Sequence, residues 1–338
     1  MGGLRHFVSL GTMRDALGRT IDYLRLSVTD ACNLRCGYCV SRGEGPACPG
    51  GSPLDDGEVL ALVRAFARLG VSRVRVTGGE PLLRPGLEGL VGGIAGVAGV
   101  RSVSLSTNGV LLAEAAPRLA AAGLSRVNIS LDTLRPERMR RLAGADRLAE
   151  VLAGVDAALA AGLRPVKVNV VVARGCNEDE VPDFVRLASE RDVHVRFIEL
   201  MPIGNTGFFT PERRVGVAEL LERAGPLEPL PEGERPCGAG PASYFRPRGA
   251  RGTVGFIGAL SRCFCSACNR VRLTSRGRIL LCIGREGPEL DLAALLRAGA
   301  SEPELDAALG AFIRLKPARH RMSAEAGPAR NSMCSVGG

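Results

Sequence analysis

The sequence predicts an α/β protein: a partial, six-stranded TIM-like barrel followed by a smaller C-terminal domain. Six short runs rich in β-branched residues alternate with stretches of helical periodicity. They recur at roughly 25- to 50-residue intervals, room for a strand and a right-handed crossover helix. Residues with chemical potential follow the strands closely, where such folds place their ligands. Six strands are too few for a closed eight-strand barrel, so the barrel is read as open.

In chain order, residues 1–20 read as an N-terminal extension and residues 21–224 as the barrel. The first strand is the apolar run from Leu24 to Thr29. After the turn-rich Cys48-Pro49-Gly50-Gly51, Asp55 or Asp56 caps a helix with Val59, Leu62, Val63, Phe66 and Leu69 at helical spacing. Strands follow at 74–76, 103–106, 127–131, 166–172 and 195–200, with helices at 87–94, 111–122, 148–161 and 180–189. Residues 225–252 are rich in Pro and Gly and read as a connection. The remainder, 253–338, carries an apolar run at 254–257, a hairpin over 270–281 and a helix over 303–315 whose inner face is Leu305, Leu309, Phe312 and Ile313.

Composition narrows the function. A chain of 338 residues with 46% hydrophobic content can fill a full core. No apolar run reaches the ~18 residues of a membrane span, and the first twenty residues show no leader followed by a cleavage site, so the expectation is a cytoplasmic protein without a membrane partner. Eleven cysteines, an odd number in C-x2-C spacings, argue for metal binding in a reducing compartment over a disulfide framework. The net charge of +9 suits an anionic small molecule; 4% aromatic residues leave few stacking platforms for nucleic acid.

Two cysteine sets carry the chemistry. Cys32, Cys36 and Cys39 stand in C-x3-C-x2-C spacing after the first strand, so three soft thiolates converge from one loop. An iron–sulfur cube held by three thiolates keeps one iron free for a small ligand, whereas electron-transfer cubes are closed by four. A zinc knuckle lacking its fourth ligand is the alternative. Cys265, Cys268 and Cys282 form the second set, and Cys263 is near enough in sequence to complete a zinc site instead. After the second strand, Gly78-Gly79-Glu80-Pro81 allows close backbone approach. Arg270 and Arg272 alternate on a strand and share a face. Lys167 is one of only two lysines, the other being Lys316, among 44 basic residues.

The first cysteine loop, Tyr38 before its third cysteine and the Gly-Gly-Glu-Pro stretch resemble the radical S-adenosylmethionine (SAM) superfamily. Further segments resemble its GTP 3′,8-cyclase family of molybdenum cofactor biosynthesis: Ser106-Thr107-Asn108-Gly109, Asn128 to Asp132, Val166-Lys167-Val168-Asn169, Arg196 to Glu199, Phe264 to Leu273, and the terminal Gly337-Gly338. The resemblance implies a barrel of the radical SAM type and two 4Fe-4S clusters, on Cys32, Cys36 and Cys39 and on Cys265, Cys268 and Cys282. It implies SAM contacts at Tyr38, Gly79, Glu80, Ser130 and Met201, with Tyr38 packed on the adenine. It implies GTP contacts at Arg25, Arg75, Ser106, Lys167, Arg270, Val271 and Arg272, with the catalytic group comprising Arg25, Arg270, Arg272, Gly337 and Gly338.

The implied reaction cleaves SAM, removes hydrogen from C3′ of GTP and joins C3′ to C8, with an external electron donor. Cyclic pyranopterin monophosphate synthase would act next, and a homodimer is left open. Ala31 stands where the family often has Arg, and Phe208-Phe209 where a Trp is common. Cys48, Cys176, Cys237, Cys263 and Cys334 are left without a role. The alternatives are another radical SAM enzyme with an auxiliary cluster, and a zinc-stabilised nucleic-acid-binding protein.

Overall fold

The computed structural model describes residues 11–39, 52–238 and 240–323. Strands β1 (Tyr23–Ser27), β2 (Arg73–Thr77), β3 (Ser102–Thr107), β4 (Leu124–Ser130), β5 (Val166–Val172) and β6 (His194–Glu199) pair in chain order, all parallel. This is the expected partial barrel. Its crossovers are α1 (Asp56–Arg68), α2 (Leu87–Ala95), α3 (Leu112–Ala121), α4 (Pro136–Ala143), α5 (Leu148–Ala160) and α6 (Val181–Glu190), followed by α7 (Val217–Ala224).

Asp55, not Asp56, starts α1. Its carboxylate accepts from the Glu58 amide at 2.8 Å while Glu58 accepts from the Asp55 amide at 3.0 Å, so two amides that no helical carbonyl can reach are satisfied. The helix then buries Val59, Leu62, Val63 and Phe66 against the sheet. Helix α4 escapes sequence reading because it buries only Met139 and Ala143, too few for a helical stripe.

The C-terminal part extends the same sheet at both edges. Strand β9 (Thr253–Ile257) runs parallel to β6, and β10 (Arg270–Leu273) runs parallel to β1. Outside them lie β7 (Leu227–Pro229) and β8 (Ser243–Pro247) on one side, and β11 (Arg278–Leu280) and β12 (Leu290–Asp291) on the other, all antiparallel. The order is β12-β11-β10-β1-β2-β3-β4-β5-β6-β9-β8-β7. Residues 225–252, expected as a plain connection, thus hold two strands, β8 and the edge strand β7. Each is only three to five residues long and exists because a neighbour supplies its hydrogen bonds, which no local pattern records. Helices α8 (Leu292–Arg297) and α9 (Glu302–Ile313) complete the chain, α9 burying the expected Leu305, Leu309, Phe312 and Ile313.

One close approach shapes the end of β3. Gly109 has φ +83°, open to glycine with little strain, and its carbonyl lies 2.6 Å from where a Cβ on Gly154 of α5 would sit. Gly154→Ala would gain about 1 kcal/mol of helix propensity, but a backbone clash of this kind costs ~1–3 kcal/mol. We expect a net loss of stability in urea unfolding; a stabilised variant would show that the loop yields freely.

Candidate functional site

The cysteine loop is laced to the loop after β2. Gly79 N donates to Thr29 O at 2.8 Å, and Glu80 N to Ala31 O at 2.7 Å. A Cβ on Gly78 would lie 2.6 Å from Thr29 O, and one on Gly79 2.3 Å from Ala31 O, so both positions need glycine for the loops to touch. Glu80 is fully buried. Its carboxylate accepts from Leu82 N at 3.0 Å, Thr107 Oγ1 at 2.7 Å and Asn108 N at 2.7 Å. Burial pushes this carboxyl up to about 7, against the pull of those three donors. The side chain of Glu80 therefore ties the β2 and β3 ends together, and only its backbone is left for a ligand. Asn108 in turn donates to Asn33 Oδ1 at 2.7 Å, steadying the loop that carries Cys32.

Cys32 is exposed; Cys36 and Cys39 are half-buried. Burial, and then the charge of Asp132, raise the Cys36 thiol well above its ordinary pKa. The charges of Cys39 and Cys32 act on Cys36 as well, so the three sulfurs lie near one another. Three thiolates of one loop suit a cube, in which each takes its own iron.

Tyr38 is held by its hydroxyl, which donates to Asp132 Oδ2 at 2.7 Å, and its ring meets Phe208 edge-on with centroids 6.0 Å apart. Asp132 also accepts from Val171 N at 2.8 Å, and burial lifts its carboxyl to about 6. The expectation for Tyr38 named the adenine alone; Asp132 and Phe208 are the partners this structure supplies. Tyr38→Phe leaves a half-buried carboxylate oxygen without its donor and should destabilise the protein by about 1 kcal/mol, read as a lower melting temperature; an unchanged melting curve would mean solvent replaces the hydroxyl. Ser130 is exposed at the end of β4, and Met201 follows β6 at the edge of the central cavity.

That cavity is defined by a belt of cations. Register places Arg25 of β1 between Arg75 of β2 and Arg272 of β10, and Asn128 of β4 beside Lys167 of β5. Arg25, Arg75, Lys167, Arg196, Arg270, Arg272 and Lys316 all line the cavity, and among its described lining residues there is no Asp or Glu. Burial, then Arg272 and Arg75, bring Arg25 well below its usual pKa; burial, then Arg270, bring Arg272 down to about 10. Burial, then Arg196 and Arg75, bring Lys167 down to about 7. Neutral groups orient several of these charges: Arg196 donates twice to Asn169 Oδ1, at 2.8 and 2.5 Å, and the Asn128 amide lies against Arg196 and Arg75, accepting from both when its oxygen is turned toward them. Lys167 donates to Cys237 O at 2.7 Å, and Ser106 lines the cavity between these strands. Crowded cations answered by amides and carbonyls repel one another until a polyanion enters.

The second cysteine set opens into the same cavity. Cys265 begins a 3-10 turn whose carbonyl accepts from Cys268 N at 3.1 Å, and Cys282 follows β11. Burial opposes ionisation of Cys268, but Lys316 and Arg270 beside it bring its pKa below the usual thiol value. Lys316, nearly buried, donates to Arg270 O at 2.7 Å and Leu281 O at 2.5 Å. Scarcity of lysine marks Lys316 as much as Lys167, and the cavity takes both. Strand alternation turns the Val271 side chain into the core, 0% exposed, which leaves its backbone for any ligand, while Arg270 and Arg272 face the cavity. Gly337, Gly338, Cys48 and Cys334 lie outside the described residues. Cys176 is half-buried near Glu178, and Cys237 is exposed with its sulfur 3.6 Å from Arg126 Nη1. Among the described helices, none is long and apolar enough to cross a membrane.

Comparison with known proteins gives the family. The Radical SAM superfamily profile matches residues 26–188, and the Molybdenum Cofactor Synthesis C profile matches residues 193–322. A GTP 3′,8-cyclase of Pelotomaculum thermopropionicum is 46% identical over 327 residues, 96% of this chain and 100% of that protein. One from Gloeobacter violaceus is 47% identical, covering 94% and 99%. Among solved structures, Streptococcus suis SuiB bound to S-adenosylmethionine aligns with TM-score 0.61 at 16% identity, over 88% of this chain and 69% of that one, a likeness of fold. With this identity sustained over nearly its whole length, the chain belongs to the GTP 3′,8-cyclase family of the radical SAM superfamily.

Proposed function

We propose that this chain cyclises GTP to (8S)-3′,8-cyclo-7,8-dihydroguanosine 5′-triphosphate, an early step of molybdenum cofactor biosynthesis. The observation that carries this reading is the cavity whose described lining joins seven cations and no carboxylate to a second cysteine triplet. A triphosphate answers such charges, and guanidinium forks bind phosphate oxygens in pairs.

Cys32, Cys36 and Cys39 would hold the 4Fe-4S cluster that binds SAM, with the backbone around Gly79 and with Tyr38, Ser130 and Met201 alongside. When bound, cluster and SAM supply a carbon radical able to take hydrogen from an unactivated C–H bond. Cys265, Cys268 and Cys282 would hold a second 4Fe-4S cluster, which would supply an open iron for the purine. Arg25, Arg75, Lys167, Arg270 and Arg272, with the Ser106 hydroxyl, hold the phosphates and ribose so that C3′ stays near C8. One hydrogen atom leaves C3′, the C3′–C8 bond forms, and one electron and one proton complete the purine. Each turnover takes two electrons from an external donor, one for the reductive cleavage of SAM and one for the purine; Gly337 and Gly338 serve the same site, and the product passes to cyclic pyranopterin monophosphate synthase. We place the protein in the cytoplasm, with no nucleic-acid partner, and a homodimer is compatible with this reading. The domain bounds of this reading are 21–224 for the barrel and 253–338 for the second-cluster domain.

The test is anaerobic incubation with SAM, dithionite and GTP, followed by mass spectrometry. The expected products are 5′-deoxyadenosine and a cyclised nucleotide with the mass of GTP. SAM cleavage that GTP does not stimulate, with GTP recovered intact, would overturn the proposal.

A further inference from the structure

Cys263 has no place in either cysteine triplet, and His320 lies beyond the last helix, yet the fold puts them together. The sulfurs of Cys263 and Cys265 and a ring nitrogen of His320 lie within 4.8 Å of one another. His320 Nε2 sits 2.9 Å from the Ala259 carbonyl, which can only accept, so Nε2 carries the proton and Nδ1 presents its lone pair. That Nδ1 is buried and has no hydrogen-bond partner. A carbonyl on the far nitrogen, setting the tautomer and orienting the ring, is the usual support of a metal-binding histidine.

The grouping is held from outside. Arg19 donates to Cys265 O at 2.8 Å, Ala318 O at 3.1 Å and Pro317 O at 2.7 Å, and Asp15 holds the guanidinium. A residue of the stretch read as a mere extension thus fastens the segment bearing His320 to the turn bearing Cys265.

We propose that Cys263, Cys265 and His320 Nδ1 bind one divalent ion of the zinc class in the cluster-free chain. Two thiolates and one imidazole are the donors zinc prefers, at ~2.3 Å and ~2.0 Å, and a closure of about 1 Å among them completes a tetrahedral site whose fourth position a water takes. Binding releases the two thiol protons to solvent, and no electrons move. The ion and the second cluster exclude each other, because both require Cys265; this clause alone rests on the cluster assignment under Proposed function.

The test uses the full-length chain prepared free of iron, titrated with Co²⁺ in oxygen-free buffer. One equivalent should produce the visible absorption of tetrahedral cobalt with a thiolate charge-transfer band, and Zn²⁺ should displace it. Cys263→Ser and His320→Ala should each weaken cobalt binding ~100-fold or more, since even supporting residues of metal sites are worth 10–100-fold; Cys268→Ser and Cys282→Ser should leave it unchanged. Cys263 is exposed, so its variant should keep the wild-type circular dichroism and isolate the ligand effect. Wild-type affinity in Cys263→Ser or His320→Ala, or loss of the signal in Cys268→Ser, overturns the site. Chain preloaded with Zn²⁺ should then take up about four irons instead of about eight; eight irons on zinc-loaded chain overturns the exclusion. Four irons on zinc-free chain would instead refute the two-cluster reading and leave the cobalt result standing.

Discussion

Cys282→Ala is expected to abolish the cyclised nucleotide while 5′-deoxyadenosine still forms at a reduced rate. The variant removes one ligand of the second triplet and none of the first, so iron after anaerobic reconstitution should fall from about eight to about four per chain. Cys282 follows β11, in a different loop from Cys32, Cys36 and Cys39, which follow β1. Loss of the purine anchor leaves GTP held by phosphate contacts alone, and a misplaced C3′ costs orientation, a factor of about 10² or more. Product formed at the wild-type rate would remove Cys282 from the site. Loss of SAM cleavage together with product would mean that the first cluster depends on the second.

Lys167→Met should weaken GTP binding by about 10- to 100-fold, the equivalent of a charge-assisted hydrogen bond worth ~1.5–3 kcal/mol. It should also flatten the pH dependence of binding. The ammonium is brought down to about 7 by burial, then by Arg196 and Arg75, with Arg126 adding repulsion and the Cys237 side opposing it. Its protonated form is the one that attracts phosphate, so wild-type affinity is full below about pH 7 and falls as pH rises through that value. The slope is at most tenfold per pH unit, because one proton is linked to binding. His194 beside it is held near 4 by burial and then Lys167, so it stays neutral throughout this window and adds no second step. Lys167→Arg should lose the slope but keep part of the affinity, since a guanidinium stays charged. Equal pH profiles for wild type and Lys167→Met, by isothermal titration, would show that this lysine does not meet the phosphates.

Much of this site is legible in the sequence alone. Three cysteines within eight positions and a Gly-Gly pair after a strand are local patterns, and the chemistry they serve demands that locality. Arg270 and Arg272 fall on one face because a strand alternates. The same alternation turns Val271 inward, a direction that a motif match, which carries only a residue's name, does not convey. Asn128 and Asn169 stand in their motifs without an evident role; their function as neutral partners of Arg196 and Arg75 follows from strands in register, which a single sequence does not state. Strands β7 and β8 escape for a related reason, being too short to announce themselves.

By itself the sequence determined the alternation of strand and helix, the positions of most barrel elements, both cysteine triplets and the excess of arginine, since each is written in residue spacing or composition. Tertiary structure alone decided that β10 lies against β1 and β9 against β6, that seven cations share one cavity, and that Arg19 reaches across to the turn of Cys265. The bond between Asp22 and Asn269 joins residues 247 positions apart. Contacts of that span depend on how hydrophobic faces and strand hydrogen bonds close the whole sheet, a collective property that no local window contains.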